Sequence, residues 1–256
     1  MKAAFLRTIR RPTSLIWVFC HILTLILGFA VLSEASKKLF GSGLAEGIGG
    51  SLDATGAAGI VLFLYVVSND DLREKMNALS KAGLDAIFPH RSVLIKGEYN
   101  TRLSSARQID LMGFGLSAFL QDYSGQFVRW SHLSVVRILL IDPDFPTARH
   151  SVALLRDREE GHTEGQTKTE VLQFEKVVGE LSDLKRENFQ VRRMRALPSV
   201  NMFRIDDEIF WGPYLMHQQS RNTPTLLVNR SGFLFSALQA HFEALWKMAS
   251  PAAEEL

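Results

Sequence analysis

Cysteine is almost absent from this chain of 256 residues, since Cys20 stands alone. No internal disulfide can form, and nothing in the sequence requires an oxidising compartment.

Net charge is also nearly absent, because the sequence contains 29 Lys and Arg and 27 Asp and Glu. The small basic excess lies in residues 1–12, which we interpret as a basic cytoplasmic tail. A short tag of this kind is not a nucleic-acid-binding surface, and we expect no direct DNA binding. Its basic residues are Lys2, Arg7, Arg10 and Arg11.

The longest apolar stretch runs from Thr13 to Ser33 and carries no formal charge. Its length at 1.5 Å per residue matches a hydrocarbon core of about 30 Å, so residues 13–33 are predicted to form a transmembrane helix. A cleaved signal peptide is the alternative, but its apolar region is usually only about 7 to 15 residues long, and no clean A-x-A site follows. We interpret His21, inside the span, as a tolerated residue that faces another helix.

A second apolar run, Ala54 to Val67, is too short to cross a bilayer alone. Small residues at a spacing of four extend it upstream and predict one helix over residues 43–68. Such a stripe lets two membrane helices approach closely. We expect a two-helix hairpin whose small faces meet each other or a neighbouring subunit. The stripe comprises Gly43, Gly47, Ser51, Thr55 and Gly59, and the first span repeats the spacing with Cys20, Thr24 and Gly28.

Two carboxylates, Glu46 and Asp53, share one face of the second helix because they lie seven residues apart. We interpret them as lying at or outside the distal interface. The alternative is that an oligomer turns them into an aqueous lumen, since intramembrane carboxylates rarely face lipid. Only Lys37 and Lys38 are basic between the spans, so residues 34–42 are predicted as an extracytoplasmic turn and both termini as cytoplasmic.

The remaining residues predict a connecting helix over 69–86, an α/β domain over 87–248 and a tail over 249–256. A strand, a helix and a second strand in succession imply a parallel pair, within a mixed sheet flanked by helices. Residues 143–166 are polar and are predicted as a loop or flap. The predicted strands are Arg107–Gly113, Ser134–Ile141, Gln190–Ala196, Asn201–Ile205, Glu208–Trp211 and Thr225–Val228, and the predicted helices are Leu116–Trp130, Thr167–Glu187 and Gly232–Met248.

This order of elements, with the stretch RIDDEIFWGPYL at Arg204–Leu215, resembles one half of the phospholipase D superfamily over about Ile87–Trp246. In that family two H-x-K-x4-D motifs meet; one His becomes a covalent phospho-enzyme, the other protonates the leaving group, and the Lys pair binds phosphate. The motif Asp is followed by a strand, a Gly and a small polar residue. Here IDDEIFWGP resembles that segment, with Pro213 where Ser is usual.

The residues that the chemistry requires upstream of the Asp are missing. If Asp206 matches the motif Asp, Ser199 and Asn201 hold the His and Lys places. If Asp207 does, Val200 and Met202 hold them. Neither alignment supplies an imidazole nucleophile or a Lys cation, so we expect no phosphodiesterase activity, no catalytic residue, no cofactor and no metal.

The same face could still bind a nucleotide or another phosphate, because Arg together with Asp binds phosphate plus sugar or base. The alternative is a local ion-pair network of Asp206, Asp207 and Glu208. The candidate ligand residues are Arg193, Arg195, Asn201, Arg204, Asp206 and Asp207.

Three further patterns receive structural interpretations. The glycine-rich segment Gly113–Phe119 is read as a turn that starts a helix rather than an anion cradle. Asp142 and Asp144 are read as loop starters rather than metal ligands. His150, His162 and Glu164 show no metal spacing.

The architecture favours a membrane-anchored sensor or effector. Two-span proteins with a cytosolic sensing module are similar to bacterial phage-defence effectors, including retron and cyclic-nucleotide types, and this analogy implies a toxin that perturbs the inner membrane. A membrane-bound phosphodiesterase or phospholipase with an unrecognised nucleophile, and a membrane-anchored scaffold, remain as alternatives. The expected partners are the lipid bilayer, a second copy in a homodimer or higher oligomer, and a nucleotide ligand or an RNA–protein regulator of the reverse-transcriptase type.

Overall fold

A computed structural model describes residues 12–90, 93–219 and 222–252. The chain divides into two compact units, Met1–Ala78 and Leu79–Leu256. The predicted basic tail over residues 1–12 lies, apart from Pro12, outside the described residues. The last four residues of the predicted tail over 249–256 lie outside them as well.

Three helices begin the described chain: α1 (Pro12–Val31), α2 (Glu34–Phe40) and α3 (Ser42–Ala82). The hydroxyl of Ser33 caps α2 by accepting a hydrogen bond from the Ser36 amide at 3.4 Å. The predicted turn over residues 34–42 therefore contains a short helix. The second predicted span and the connecting helix form one continuous helix, α3, which ends at Ala82 rather than Ala86.

Helix α3 is long and apolar enough to cross a membrane. Within the described residues, the bent pair Leu15–Val31 and Glu34–Phe40, with an angle of 68°, passes the same test when counted as one span. Length and composition alone support this statement, and a signal sequence or a buried core helix meets the same criterion.

The second unit contains eight strands and six further α-helices among its described residues. The strands are β1 (Leu84–Phe88), β2 (Gln108–Gly113), β3 (Val135–Ile141), β4 (Phe189–Met194), β5 (Val200–Ile205), β6 (Glu208–Pro213), β7 (Thr225–Asn229) and β8 (Ser250–Pro251). The helices are α4 (Val93–Leu103), α5 (Ser117–Tyr123), α6 (Phe127–Leu133), α7 (Val152–Glu160), α8 (Gln166–Glu180) and α9 (Phe233–Met248), with a 3-10 turn at Ser124–Gln126.

The eight strands form one mixed sheet in the order β1-β7-β6-β5-β2-β3-β4-β8. Strands β2, β3 and β4 run parallel, with Ile109 opposite Val136 and Ile138 opposite Val191. The other neighbours are antiparallel. The parallel β2–β3 pair and the mixed α/β class with flanking helices are confirmed.

Both faces of the sheet are covered. On one face Phe119 of α5 and Phe127 of α6 are fully buried, and Phe119 packs edge-on against Phe203 of β5 with ring centroids 5.4 Å apart. On the other face α9 buries Phe242 and Trp246. Because successive strand residues point to opposite faces, Arg137 of β3 points towards α9 while Ile138 points away from it.

Two elements differ from the sequence-based expectation. Residues Leu84–Phe88 form strand β1, which pairs with β7, where a helix was predicted as far as Ala86. Gly83, at φ +73°, ends α3 and reverses the chain into the strand. Pairing with β7 determines the conformation of residues 84–88. A short segment with no strong helix or strand propensity adopts the conformation in which its backbone N–H and C=O groups are hydrogen-bonded.

The predicted loop over 143–166 contains helix α7. Its cap is Ser151, whose hydroxyl accepts from the Leu154 amide at 3.2 Å. The helix is polar on average, so it lacks the apolar periodicity by which a surface helix is recognised. Its Arg156 and Asp157 are buried and hydrogen-bonded instead. The predicted helix Thr167–Glu187 corresponds to α8 and ends earlier, at Glu180.

Candidate ligand-binding cavity

A cavity of about 220 Å³ lies where β2 ends and β5 begins. Gly113 closes β2 at this edge, and Asn201 of β5 faces the cavity. The carboxyl edge of parallel strands is where open α/β sheets bind ligands. The turn after β2 supplies part of the wall through Phe114 and Leu116, and α5 begins directly after it at Ser117.

Arg156 of α7 lines the cavity, and 3% of its surface is exposed. Among the described residues it is the one Arg in this lining. Its Nη1 donates to the carbonyl of Leu215 at 3.3 Å, and its Nη2 donates to the carbonyl of Gln218 at 3.0 Å. The guanidinium also lies over the ring of Tyr214, 4.9 Å from its centroid. These contacts tie α7 to the loop that follows β6.

Carboxylates surround this guanidinium. Glu159 pairs with Nη1 at 3.2 Å and Glu160 pairs with Nη2. The Glu160 side chain is 10% exposed, and its Oε2 lies 3.6 Å from Nε2 of His162. His162 in turn lies 3.1 Å from the amide nitrogen of Gln219. A network of polar contacts that runs from Arg156 through Glu160 and His162 to Gln219 therefore lines one side of the cavity.

The opposite rim is supplied by α8. Gln166 donates to Glu170 at 3.3 Å, and both residues line the cavity. A β-carbon on Gly115 would lie 2.5 Å from Oε2 of Glu170, so the turn needs glycine at this close approach. Among the residues that the structure describes, the Arg, Lys, Asp and Glu side chains that line the cavity are thus Arg156, Glu160 and Glu170, an excess of one acidic group.

A buried carboxylate fixes the two helices of the cavity relative to each other. Asp157 is fully buried and accepts hydrogen bonds from the amides of Gly165 at 2.8 Å and Thr167 at 2.9 Å. It also accepts from the Thr167 hydroxyl at 2.5 Å. Charge-assisted bonds of this kind are strong, so α7 and α8 meet in a defined geometry.

Two of the predicted ligand residues lie on β4 and its extension, away from this lining. Arg193 pairs with Glu175 of α8 through two hydrogen bonds of 2.6 and 2.5 Å. The hydrogen bond to Glu175 raises the pKa of Arg193 more than burial lowers it. Arg195 is 59% exposed in its side chain and lies 3.4 Å from Asp142.

Asp142 and Asp144 act as loop residues in the structure. The carboxylate of Asp142 accepts from the Asp144 amide at 3.1 Å, and Asp144 pairs with Lys168 at 2.8 Å. In the part of the chain that the structure describes, no three His, Cys, Asp or Glu side chains gather in a way that suits a metal ion.

Arg204 and Asp206 lie together, at the other end of β5. Arg204 donates through Nε to the backbone carbonyl of Asp206 at 2.7 Å and through Nη1 to Asp110 at 3.2 Å. The Asp206 carboxylate accepts from the backbone amides of Arg107 at 2.9 Å and Gln108 at 2.8 Å. It thus links the turn between β5 and β6 to the start of β2.

Asp207 and Glu208 have separate partners. Asp207 forms an exposed pair with Arg230 at 3.1 Å, and Glu208 pairs with Arg102 of α4 at 2.6 Å. The six predicted ligand residues therefore do not converge: Asn201 faces the cavity, while Asp206 lies five residues along β5, about 17 Å away.

A larger ionic network lies beneath α9. The Asp110 carboxylate, 1% exposed, accepts from Arg137 at 2.7 Å and from Arg204 at 3.2 Å. Arg137 continues to Glu243 at 2.7 Å. Burial lowers the pKa of Arg137, but its hydrogen bonds to Asp110 and Glu243 outweigh that effect and raise it. The hydrogen bond from Arg137 lowers the pKa of Glu243.

In the first unit, α1 and α3 pack through glycines. A β-carbon on Gly59 would lie 2.2 Å from the ring of His21, and one on Gly28 would lie 2.1 Å from Oδ1 of Asp53. That oxygen is buried and has no hydrogen-bond partner among the described residues. Glu46 is instead exposed and lies 3.3 Å from Lys37.

The rest of the predicted stripe lies off this contact. A β-carbon on Gly43 or Gly47 would have no described atom within 4 Å, and Ser51 and Thr55 are exposed. On α1, Cys20 is exposed and Thr24 donates to its carbonyl at 2.9 Å. Two glycines that sequence reasoning did not single out, Gly49 and Gly56, pack against Leu32 and Leu25 of α1.

The cavity residues of α7 were also missed. Their signal is the spacing Arg156, Glu160 and His162, which places the first two on one helical face. Because this segment was predicted as a loop, the spacing of four residues between Arg156 and Glu160 did not indicate a shared helical face.

A family model described as a domain of unknown function, DUF5919, matches residues 82–253, well over half of the chain. The chain belongs to the DUF5919 family. The matched DUF5919 segment contains both the cavity and the ionic network, whereas α1 and α2 precede it. No curated protein matches the chain.

Two solved structures resemble this DUF5919 chain weakly. One is TrmBL2, an archaeal chromatin protein with a novel mode of DNA binding, at 12% identity and TM-score 0.40, covering 78% of this chain and 67% of that one. The other is Nuc, a phospholipase D family member from Salmonella typhimurium, at 10% identity and TM-score 0.40, covering 66% of this chain and 96% of that one. Likeness at this TM-score assigns no function to DUF5919.

Proposed function

We propose that the chain is a membrane-anchored sensor in which α1 and α3 lie in a bilayer and the α/β domain binds a small ligand in the cavity between α7, α8 and β5. Ligand binding then controls what the anchored helices do. The resemblance to phospholipase D proteins belongs to this proposal and rests on the order of elements and the segment Arg204–Leu215. The placement in bacterial phage defence stays a prediction of the sequence analogy.

The apolar surface of the first unit supports the anchor. On α1, Ile16 is 63% exposed and Phe29 is 66% exposed, and on α3, Val61 is 67% and Tyr65 is 66% exposed. Water makes contiguous apolar surface of this kind unfavourable by about 25 cal/mol per Å². A bilayer removes that penalty and supplies the environment that these side chains require.

The observation that carries the sensing part is the burial of charge at the cavity. Arg156 is 3% exposed and Glu160 is 10% exposed in its side chain, yet both line an open space rather than a packed core. Charged groups are buried at a high free-energy penalty unless they are paired and hydrogen-bonded. A cavity lined mainly by apolar and aromatic side chains, with a few convergent polar groups, is the usual form of a small-molecule site. Leu111, Met112 and Phe119 belong to the apolar part of this lining.

Membrane extraction tests the anchor. The full chain, expressed in bacteria, should remain in the membrane pellet after an alkaline carbonate wash. A double substitution that places charge on the exposed face of α3, Val61→Arg with Leu64→Arg, should move a large part of it to the supernatant. Leu133→Arg, at a site that is 63% exposed in the α/β domain, is the matched control and should leave the distribution unchanged. A chain that is soluble without detergent would contradict the anchor.

Membrane potential separates the sensor or effector from a scaffold. Expression of an effector depolarises the cell, and Gly59→Leu should abolish the effect because the side chain would collide with His21. A scaffold gives no depolarisation. Cleavage of phosphodiester or phospholipid substrates by the full chain, lost on substitution of His162, would favour the enzyme instead.

A further inference from the structure

We propose that the cavity binds the uncharged, planar base of a nucleoside and rejects inorganic phosphate. This inference rests on the proposed sensing function and names the ligand class of that same cavity.

Charge disfavours an anion. Among the described residues, the cavity is lined by one Arg and two Glu, so a phosphate would meet a net negative wall there. Burial strengthens this repulsion, because the effective dielectric constant falls away from bulk water. A neutral ligand carries no such penalty, and its N–H groups gain acceptors in the two carboxylates.

The two terminal nitrogens of the Arg156 guanidinium already have partners. Nη1 donates to the Leu215 carbonyl and pairs with Glu159, and Nη2 donates to the Gln218 carbonyl and pairs with Glu160. Phosphate recognition by Arg normally uses two parallel N–H groups of the guanidinium. Here those terminal groups are committed to protein oxygens, so the residue is a poor phosphate clamp.

One donor of Arg156 remains. Its Nε is buried and has no hydrogen-bond partner in the part of the chain that the structure describes. A buried donor without a partner is unfavourable by about 1–3 kcal/mol. We place an acceptor of the occupant at this Nε, and its N–H donors at the remaining lone pairs of Glu160 and Glu170, which line the cavity. The Asn201 amide offers one donor and one acceptor group more.

A nucleobase combines these features on one flat edge. Aromatic side chains line the space, namely Tyr99, Phe114 and Tyr214. Phe114 and Tyr214 pack edge to face against each other, with ring centroids 4.8 Å apart, and form one continuous part of the wall. The cavity volume of about 220 Å³ corresponds to roughly seven waters at ~30 Å³ each. It is larger than a single structural water requires and smaller than a dinucleotide-sized cleft.

The predicted phosphate-binding arginines do not supply an alternative anion site in this cavity. Arg193 is bound to Glu175 and Arg204 to Asp110, and neither lines the space. Arg195 lies beside Asp142 on the extension of β4. A nucleotide could therefore enter by its base, with its phosphates outside the lining residues.

The test uses the full chain in lipid nanodiscs. Adenosine, guanosine, cytidine, uridine, ribose and inorganic phosphate are titrated separately, with calorimetry and the thermal unfolding midpoint as readouts. At least one nucleoside should bind saturably and raise the midpoint, whereas ribose and phosphate should not. Asn201→Leu, which is nearly isosteric, should weaken that nucleoside about tenfold because a polar edge of the base loses its partner.

Two further variants complete the design. Glu170→Gln keeps the side-chain shape and should weaken the same nucleoside several-fold through loss of a charged acceptor. Gln190→Leu, at an exposed position on β4 outside the cavity, is the matched control and should bind as the natural chain does. The unfolding midpoint without ligand verifies that each variant is folded.

The outcomes separate the ligand class from the sensing function. Phosphate binding tighter than that of every nucleoside, or no nucleoside binding at all, would overturn the assignment of a base. If a small-molecule extract of cells still stabilises the chain, and Asn201→Leu abolishes that effect, the sensor proposal stands while the base assignment fails. Nucleoside binding that is equal in the natural chain and in both cavity variants would place the site elsewhere and overturn the inference.

Discussion

Gly83 and Gly232 meet backbone to backbone where α3 ends against the turn between β7 and α9. A β-carbon on Gly232 would lie 2.1 Å from the backbone nitrogen of Gly83 and 2.2 Å from the carbonyl carbon of Ala82. The amide of Asn229 donates to the Gly83 carbonyl at 2.8 Å and fixes the same contact. Within the second unit, the last turn of α3 is thus held against the turn between β7 and α9 by backbone contacts.

Gly232→Ala should destabilise the chain strongly. The atoms in the way belong to the backbone, so relief requires a shift of α3 or α9 rather than a change of rotamer. We expect a loss of about 2 kcal/mol of unfolding free energy, which lowers the thermal midpoint by about 4–8 °C for a chain of this size. Thermal unfolding of the full chain in detergent micelles measures it.

The matched control is Gly97→Ala in α4, where a β-carbon meets no described atom within 4 Å. Alanine is the better helix former, so this variant should be as stable as the natural chain or more stable, by about 0.5–1 kcal/mol. Equal effects of the two substitutions would contradict the packing argument.

Arg137→Ala should destabilise the domain because it leaves a buried carboxylate short of a partner. Asp110 is 1% exposed and would keep only Arg204 as its cation. Breaking a buried pair by removing one partner is unfavourable by about 3–5 kcal/mol. The variant also loses the contacts of the guanidinium with the rings of Phe242 and Trp246. Urea unfolding followed by tryptophan fluorescence measures the change.

Arg230→Ala is the control for the ionic argument. Its pair with Asp207 has exposed fractions of 73% and 61% for the two side chains. Solvent screens such a pair, so the expected change is within about 0.5 kcal/mol. A loss as large as that of Arg137→Ala would show that burial does not determine the strength of these pairs.

Glu243 makes the free energy of unfolding depend on pH. The hydrogen bond from Arg137 lowers the pKa of this carboxyl in the folded chain. The ionised group therefore stabilises the fold at pH values above its unfolded pKa, near 4.3. That stabilisation is lost as the pH falls through the lower folded pKa. Urea unfolding at several values between about pH 7 and pH 3 should show the natural chain converging on Glu243→Gln in acid.

An Arg137→Met background provides the control for this pH dependence. Without the guanidinium, the carboxyl loses the first cause of its shift, and Glu243→Gln should then change stability by a similar amount at every pH. A difference between the natural chain and Glu243→Gln that is constant over the whole pH range would contradict the linkage.

The two predicted helix-packing glycines Gly47 and Gly59 should behave differently. Gly59→Leu should separate α1 from α3, since even a β-carbon there would lie 2.2 Å from the His21 ring, and should lower the midpoint in micelles. Gly47→Leu should leave that midpoint unchanged. If the exposed stripe meets a second copy of the chain, Gly47→Leu should reduce chemical cross-linking between subunits in the membrane without changing the midpoint. Gly59→Leu should lower the midpoint.

Part of the fold follows from local pattern. Strand β2 lies in an alternating segment and β3 in a nearly continuous apolar run, and a helical segment separates them. That order of strand, helix and strand predicts a parallel pair. Strands β5 and β6 were likewise predicted, as Asn201–Ile205 and Glu208–Trp211, and this leaves Asp206 and Asp207 for the turn between them. Strand β1 and helix α7 were not predicted, because their partners lie far away along the chain.

The candidate site was predicted from the sequence only in small part. Asn201 was singled out as a ligand residue, and it faces the cavity, but it was grouped with Asp206 at the far end of the same strand. Arg156 and Glu160 were overlooked because α7 is polar and has no apolar face to mark it. Their burial comes from contacts with Leu215 and Gln218, about sixty residues later in sequence.

The sequence by itself determined the two apolar segments, the mixed α/β class and the absence of any H-x-K-x4-D motif, since each depends on residue type at short spacing. Only the tertiary structure decided which charges are paired and where open space remains. Asp110, Arg137 and Glu243 lie 27 and 106 residues apart in the chain yet share hydrogen bonds. Side-chain partners across a sheet depend on register and helix placement, and a linear pattern does not encode these directly.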